Sequence, residues 1–276
     1  MNESRRPPLN KDTRLCISLA ARPSNIGTRF HNYLYEQLGL DFIYKAFTTT
    51  DIAAAIGGVR ALGIRGCSVS MPFKEDVIAL VDTMEASALA INSVNTIVND
   101  DGQLTASNTD YVAVARLIAE YRLDPSATVL IRGSGGMASA VASAFRDNGF
   151  GSGTVVARNA QTGRRLADRL GYDYAPEVPD RGADIVVNVT PIGMTGGPES
   201  TDLAFDESVI AKAHTVFDVV ALPSETPLIV SARASGTPVI TGAEVIALQA
   251  AEQFERYTGV RPSADQVAAA SAFSRA

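Results

Sequence analysis

Apolar residues fall in two rhythms along this chain. Short unbroken runs, Leu15 to Ala20, Phe42 to Phe47 and Ile64 to Val69, read as buried strands. Between them lie stretches of helical period. One runs from Arg29 to about Leu38 and stops at Gly39; the next runs through Leu62 and stops at Gly63. Thr28 is placed to cap the first of these helices, and Thr50 or Asp51 the second. Pro72 has no N–H to give a ladder, so the third strand ends at or before it, and Asp76 to Val81 continues as a helix. Strand and helix thus alternate through the first third, which predicts a mainly parallel sheet covered by helices. Then the rhythm changes. Ser93 to Val98 and Gln103 to Ala106 read as two strands across an Asp101-Gly102 turn, and Ser107 to Asp110 opens a helix with Val114, Leu117 and Ile118 on its apolar face. A domain boundary is placed at Asn108 to Asp110.

The second half keeps the alternation. Strands are expected at Thr128 to Ile131, Thr154 to Ala157, Asp184 to Val187, Val216 to Val219 and Pro238 to Ile240. Helices are expected along Ala140 to Phe145 and Gly163 to Leu170, in a doubly wound arrangement. A closing helix, Glu244 to Tyr257, carries Val245, Leu248, Ala251 and Phe254 at helical spacing, and an Ala-rich helix follows Pro262-Ser263.

Composition removes several function classes. A net charge of −6 argues against a nucleic-acid partner. No apolar run approaches a membrane span, and Arg5-Arg6 leads into Pro7-Pro8 instead of an apolar signal segment. Cys16 and Cys67 each sit inside an apolar run, as small core residues of a reduced, cytoplasmic protein. The first ten or so residues read as a loose tail. His31 reads as structural and His214 as a surface residue, and no His/Cys/Asp cluster has metal-ligand spacing.

The chemistry concentrates in two stretches. Gly133-Ser134-Gly135-Gly136-Met137-Ala138 has a strand before it, a helix after it and a second strand close behind, the context a pyrophosphate-binding turn requires. An NAD site wants an acid near the end of that second strand, to hold the ribose 2′-hydroxyl. The region from Val155 to Thr162 has none; it offers Arg158, with Arg164 and Arg165 further on, which points to NADP(H) and a 2′-phosphate on Arg158. Thr190, Gly193 and Met194 form a strand-end loop placed for the nicotinamide side, and Gly242, ahead of the closing helix, is a further cofactor candidate. The other stretch is Met71-Pro72-Phe73-Lys74-Glu75. Lys74 stands at the expected start of a helix, where cations are disfavoured, so its charge calls for a partner.

The order of Lys74 on its Met-Pro-Phe-Lys-Glu turn, Ser93-Val94-Asn95-Thr96, Asn108-Thr109-Asp110 and Gly-x-Gly-Gly resembles the shikimate/quinate dehydrogenase family. Ala157-Arg158-Asn159, Asn188 to Met194, Asp218 with Thr226-Pro227, and Gln249 extend the likeness, and Arg22 to Thr28 resembles its shikimate dehydrogenase-like branch. The resemblance implies an α/β protein of two domains with a cleft between them. Residues 1–109 would form the substrate domain, with 244–276 packing back onto it, and 110–243 the NADP-binding Rossmann domain. It implies Lys74 and Asp110 as the catalytic pair, with Asn95 and Gln249 on substrate hydroxyls and Asn25, Ser68 and Ser70 completing the substrate site. A coupled pair titrates jointly, so either Lys74 or Asp110 can be the formal base in the oxidative direction. The implied substrate is a small cyclic hydroxy acid, interconverted between 3-dehydroshikimate and shikimate on the route to chorismate, in a monomer or homodimer. Asn25 and Gly27 stand where typical members carry a Ser-x-Ser pair, and Ala221 where they carry a tyrosine. These departures support a second reading, the same hydride chemistry on quinate, an amino-shikimate or another cyclic acid. A catalytically idle NADPH sensor is the third; keeping both Lys74 and Asp110 favours catalysis.

Overall fold

The computed structural model describes residues 6–276. The chain divides into two compact units, 1–109 with 247–276, and 110–246. The first half of the chain forms β1 (Arg14–Ala20), α1 (Asn25–Leu38), β2 (Phe42–Thr48), α2 (Ile52–Ala61), β3 (Gly66–Val69), a 3-10 turn (Asp76–Leu80), β4 (Thr83–Met84), α3 (Ala86–Leu89), β5 (Thr96–Asp100) and β6 (Gln103–Ser107). There follow α4 (Thr109–Glu120), β7 (Val129–Arg132), α5 (Gly136–Asp147), β8 (Gly153–Val156), α6 (Ala160–Leu170), β9 (Asp173–Ala175), β10 (Ile185–Asn188), α7 (Glu207–Ile210), β11 (Thr215–Asp218), α8 (Pro227–Ala234) and β12 (Val239–Ile240). Two helices close the chain, α9 (Gly242–Thr258), which crosses the unit boundary, and α10 (Ala264–Arg275).

In the first unit the strand order is β2-β1-β3-β5-β6-β4. β1 lies parallel to β2 and β3, β5 runs antiparallel to β3 and β6, and β4 pairs parallel with β6. Alternation along β1 sends Cys16 to one face, against Phe30, Tyr35, Phe254 and Tyr257, and Ile17 and Leu19 to the other, against Ile56, Val59 and Val77. Helices therefore cover both faces. At Gly66 a Cβ would stand 2.3 Å from the Tyr257 ring, so the glycine lets α9 lie close on β3. Arg65 fastens the same corner, its Nε donating to the Tyr257 carbonyl at 2.9 Å. Together these contacts set the face of α9 that meets β5.

Several expectations shift. α1 starts at Asn25, behind an extended Ser24 (ψ 168°), so Thr28 is an interior residue and not the cap; Ile26, one turn before buried Phe30, extends the inward stripe. Asp51 caps α2, accepting from Ala54 N at 2.9 Å. The helix expected after Lys74 is only the 3-10 turn, because the chain leaves at Val81 for β4, whose neighbour Asp82 donates its N–H to Leu104 O. The β5–β6 turn is as expected: Asp101 and Gly102 both have positive φ, 50° and 90°, which suits the twist of a two-residue hairpin. The loose tail expected at the N-terminus falls partly on residues 1–5, outside the described residues. Arg6 Nη1 donates to Phe42 O and Thr13 to Asp41, so the described part is tied to the sheet.

In the second unit the order is β12-β11-β10-β7-β8-β9, and every neighbouring pair is parallel. The order reverses between β7 and β10, which opens a crevice at the carboxyl ends of those strands. Leu130, Val156, Val186 and Val216 bury one face under α7 and α8, and Phe145 packs on Phe217 at the other. Among the described residues no helix is long and apolar enough to cross a membrane, and no group of His, Cys, Asp or Glu could hold a metal ion.

Candidate functional site

Three segments of the first unit converge on one buried polar seam. Asn95, at the entry to β5, is 3% exposed. Its Oδ1 accepts from Thr96 Oγ1 (2.7 Å), from the Thr109 backbone N–H (2.8 Å) and from Thr109 Oγ1 (3.1 Å). A backbone N–H can only donate, so the amide orientation is set, and the Nδ2 donors are the end left for another acceptor. Thr109 Oγ1 also lies 3.3 Å from Gln249 Oε1 on α9, and its one hydrogen serves either that oxygen or Asn95 Oδ1. One turn later Gln253 Nε2 donates to Thr96 Oγ1 (3.0 Å) and to the Asn95 carbonyl (3.3 Å). The seam therefore runs Gln253 to Thr96 to Asn95. Of its members only Asn95 and Gln249 were expected from the sequence; Gln253 sits four residues after Gln249, and that spacing was the readable signal.

Lys74 is half-buried in the turn after β3. Its carbonyl accepts from Val94 N at 2.9 Å, which ties the lysine turn to the residue before Asn95. Ser70 is exposed at the end of β3, its N–H donating to Leu19 O and its carbonyl accepting from Phe73 N. Ser68 is half-buried on β3, in hydrogen-bond contact with the hydroxyl of Tyr44, as is Ser18; burial of this phenol pushes its pKa up. Asn25 is exposed at the first position of α1, and a Cβ at Gly27 would stand 3.7 Å from the Tyr44 hydroxyl. His31 lies wholly buried, its ring stacked on Tyr44 at 4.4 Å and 6°, and burial pushes its imidazole down to about 3. The histidine is a core residue, while His214 is exposed. Asp110 follows directly on Thr109 as the second residue of α4 and is half-buried.

The second unit carries an open cavity of about 710 Å³ at its crevice, lined by Gly133, Ser134, Gly135, Arg158 and Thr190 among others. Gly133 has φ +136°, and a Cβ there would stand 2.8 Å from the Val189 carbonyl, so only glycine allows β7 and β10 to approach this closely. Gly135 and Gly136 have nothing within 4 Å of a built Cβ; the start of α5 is open to a ligand's backbone-close approach. Ser134 Oγ bonds Thr162 Oγ1 at 2.7 Å. Met137 is half-buried on α5 and Ala138 fully buried behind the turn. Thr190 gives both its N–H and its hydroxyl to Asn188 Oδ1, at 3.0 and 2.6 Å. Asn188 Nδ2 donates to Asp218, which also accepts from Thr226 Oγ1 at 2.6 Å and Val220 N at 3.0 Å. Burial raises the Asp218 carboxyl to about 6 despite these donors. Gly193 N is held by Glu199 O, Met194 is exposed, and Gly242 is buried with a Cβ only 2.4 Å from Val219 O, so close packing demands glycine there. An open glycine turn at a helix start, a cavity of this size and an exposed guanidinium at the end of β8 fit a phosphorylated dinucleotide.

Comparison with known proteins agrees with this geometry. Residues 25–97 match the shikimate dehydrogenase substrate binding domain. A shikimate dehydrogenase-like protein of Haemophilus influenzae is 58% identical over 97% of this chain and 98% of its own. A shikimate dehydrogenase (NADP(+)) of Pelodictyon phaeoclathratiforme is 34% identical over 84% of this chain and 86% of its own. Among solved structures, a shikimate 5-dehydrogenase-like protein superposes with a TM-score of 0.96 at 58% identity, over 98% of this chain and 100% of its own. The Thermus thermophilus shikimate 5-dehydrogenase in complex with NADP(H) and shikimate does so with 0.85 at 26% identity, over 95% and 99%. With identity at this level over nearly its whole length, the chain belongs to the shikimate dehydrogenase family, in its shikimate dehydrogenase-like branch.

Proposed function

We propose that this chain is an NADP-dependent oxidoreductase that interconverts 3-dehydroshikimate and shikimate. The observation that carries the reading is the Asn95–Thr109–Gln249 seam, where the Thr109 N–H turns the Asn95 oxygen inward and leaves its NH2 group to meet a substrate hydroxyl, with the Gln249 amide beside it. NADP(H), when bound, supplies or accepts the hydride. Lys74 gives a proton to the substrate's carbonyl oxygen in the reductive direction, and Asp110 is the second member of the catalytic pair. The open glycines Gly135 and Gly136 receive the pyrophosphate and Arg158 the 2′-phosphate; Thr190 lines the cavity, and Gly193 and Met194, further along the same loop, are assigned to the nicotinamide end.

A second substrate, quinate, an amino-shikimate or another cyclic hydroxy acid, is favoured by one feature. Gly27 offers no side chain above the Tyr44 hydroxyl, where the family's usual pattern has a serine. Turnover of shikimate, quinate and an amino-shikimate, each with NADP and NAD, decides between the acids. Lys74→Ala should lower kcat by about 10²–10⁴-fold while leaving NADPH binding unchanged. Undiminished kcat in that variant would remove Lys74 from the mechanism. Tight NADPH binding without turnover of any acid would make the chain a sensor.

A further inference from the structure

The dinucleotide cavity is not lined by cations alone. Arg158, with 78% of its side chain exposed, has Nη1 3.5 Å from Oε1 of Glu199. Arg132, at the end of β7, lies on the same wall, its Nη1 donating to the Ala204 carbonyl. Burial, then the like charge of Arg158, push the Arg132 guanidinium below its usual range, while Glu199 and Asp206 oppose the shift. Glu177 and Asp206 line the cavity as well. Arg132 thus feels two carboxylates, Glu199 and Asp206, and Arg158 has Glu199 beside it. Glu199 is held by its backbone: its carbonyl accepts from Gly193 N at 2.9 Å and from Asp202 N at 3.2 Å. The stretch after β8 has no acid in sequence, yet the fold brings one there from forty-one residues away.

A phosphate dianion arriving at Arg158 meets a guanidinium already paired, with a carboxylate beside it. A ribose 2′-hydroxyl meets an acceptor, the role an acid plays in an NAD site. We propose that Glu199 is a specificity residue of the dinucleotide site, an internal counter-ion that competes with the 2′-phosphate for Arg158 and accepts the 2′-hydroxyl of NAD, so that the pocket takes both dinucleotides. The inference rests on the reading of this cavity as the cofactor's. Repulsion of the competitor is a common route to selectivity, and here it blunts the preference that Arg158 alone would give.

Calorimetric titration of the whole protein with NADP+, NAD+, adenosine 2′,5′-bisphosphate and 5′-AMP tests it without turnover. Glu199→Gln should tighten NADP+ and the bisphosphate about fivefold, and leave NAD+ and 5′-AMP equal or weaker. The same exchange made on Arg158→Ala should have no such effect. A melting temperature equal to wild type shows that the variant is folded. Equal changes for both dinucleotides, or none in Glu199→Gln while Arg158→Ala weakens NADP+, would overturn the role of Glu199 and leave the cofactor reading standing. Failure of the unaltered protein to bind either dinucleotide would overturn both.

Discussion

Asn95 and Arg158 occupy opposite kinds of site. Asn95 is 3% exposed, and its oxygen accepts three donors from Thr96 and Thr109; Arg158 has 78% of its side chain in solvent and one carboxylate at 3.5 Å. On the proposed reading the first unit would recognise with polar groups already held by their neighbours, and the second with charges on an open rim. A buried amide left without its partner costs the desolvation of that group, so the first unit can reject a substrate that lacks one hydroxyl. Exposed charges in water are worth less and are screened by salt, so under the proposal for Glu199 the second unit would discriminate between cofactors weakly.

Acid should separate the two units most strongly. His31, in the first, is neutral in the fold, its imidazole pushed down by burial from 6.5 to about 3. The unfolded chain binds a proton that the folded unit refuses, so stability is lost as pH falls from 6.5 toward 3, by at most on the order of 5 kcal/mol. Asp218, in the second, has the opposite sign. Its carboxyl is raised by burial from 3.8 to about 6, so the folded unit binds the extra proton, and stability is lost as pH rises from 4 through 6, by roughly 3 kcal/mol. Amide exchange at pH 7 and pH 4.5 should show protection falling in β1 and α1 while β10 and β11 hold or gain. Parallel loss in both units would break the contrast.

Next in size is the seam itself. Asn95→Leu removes the donors proposed for a substrate hydroxyl and leaves the Thr109 N–H without an acceptor. About 1–3 kcal/mol is expected for each, read as a ten- to hundredfold fall in kcat/KM and a lower melting temperature. Arg158→Ala, by contrast, should weaken NADP+ by about tenfold or less with no change in melting temperature, and the loss should shrink as salt rises. If the arginine variant proved the more damaging to stability, the division between settled and open sites would fail.

The sequence made the strand–helix alternation, the Asp101-Gly102 turn and the glycine turn readable, because each depends on neighbours in the chain. It did not reveal β9, three residues long on the sheet edge and too short to show a period. α8 was missed although Thr226 before Pro227 is a legible start: the Thr226 hydroxyl accepts from Ile229 N at 3.2 Å. Asn95 and Gln249 could be named from the sequence, but not Thr96, Thr109 and Gln253, which orient them; that needs the register of β5 against α9. Glu199 lay beyond reach for the same reason, since the loop carrying it comes to Arg158 only through the fold.

The smallest expected effect concerns three glycines. At Gly66 and Gly242 an added Cβ would stand 2.3 and 2.4 Å from the Tyr257 ring and the Val219 carbonyl, and the latter is backbone that cannot step aside. Gly27 differs: its Cβ would meet the Tyr44 hydroxyl at an ordinary 3.7 Å, and the position lies in the first turn of α1 with no positive φ. Gly27→Ser should therefore fold with stability equal or higher by less than about 1 kcal/mol, since serine is the better helix former. Its hydroxyl would join those of Tyr44, Ser18 and Ser68. If shikimate is the substrate, the added donor should lower its KM several-fold with kcat little changed. A several-fold rise in KM for shikimate, with an unchanged melting temperature, would mean that the space above Tyr44 is already used, and would favour a bulkier acid as the molecule this site is built to hold.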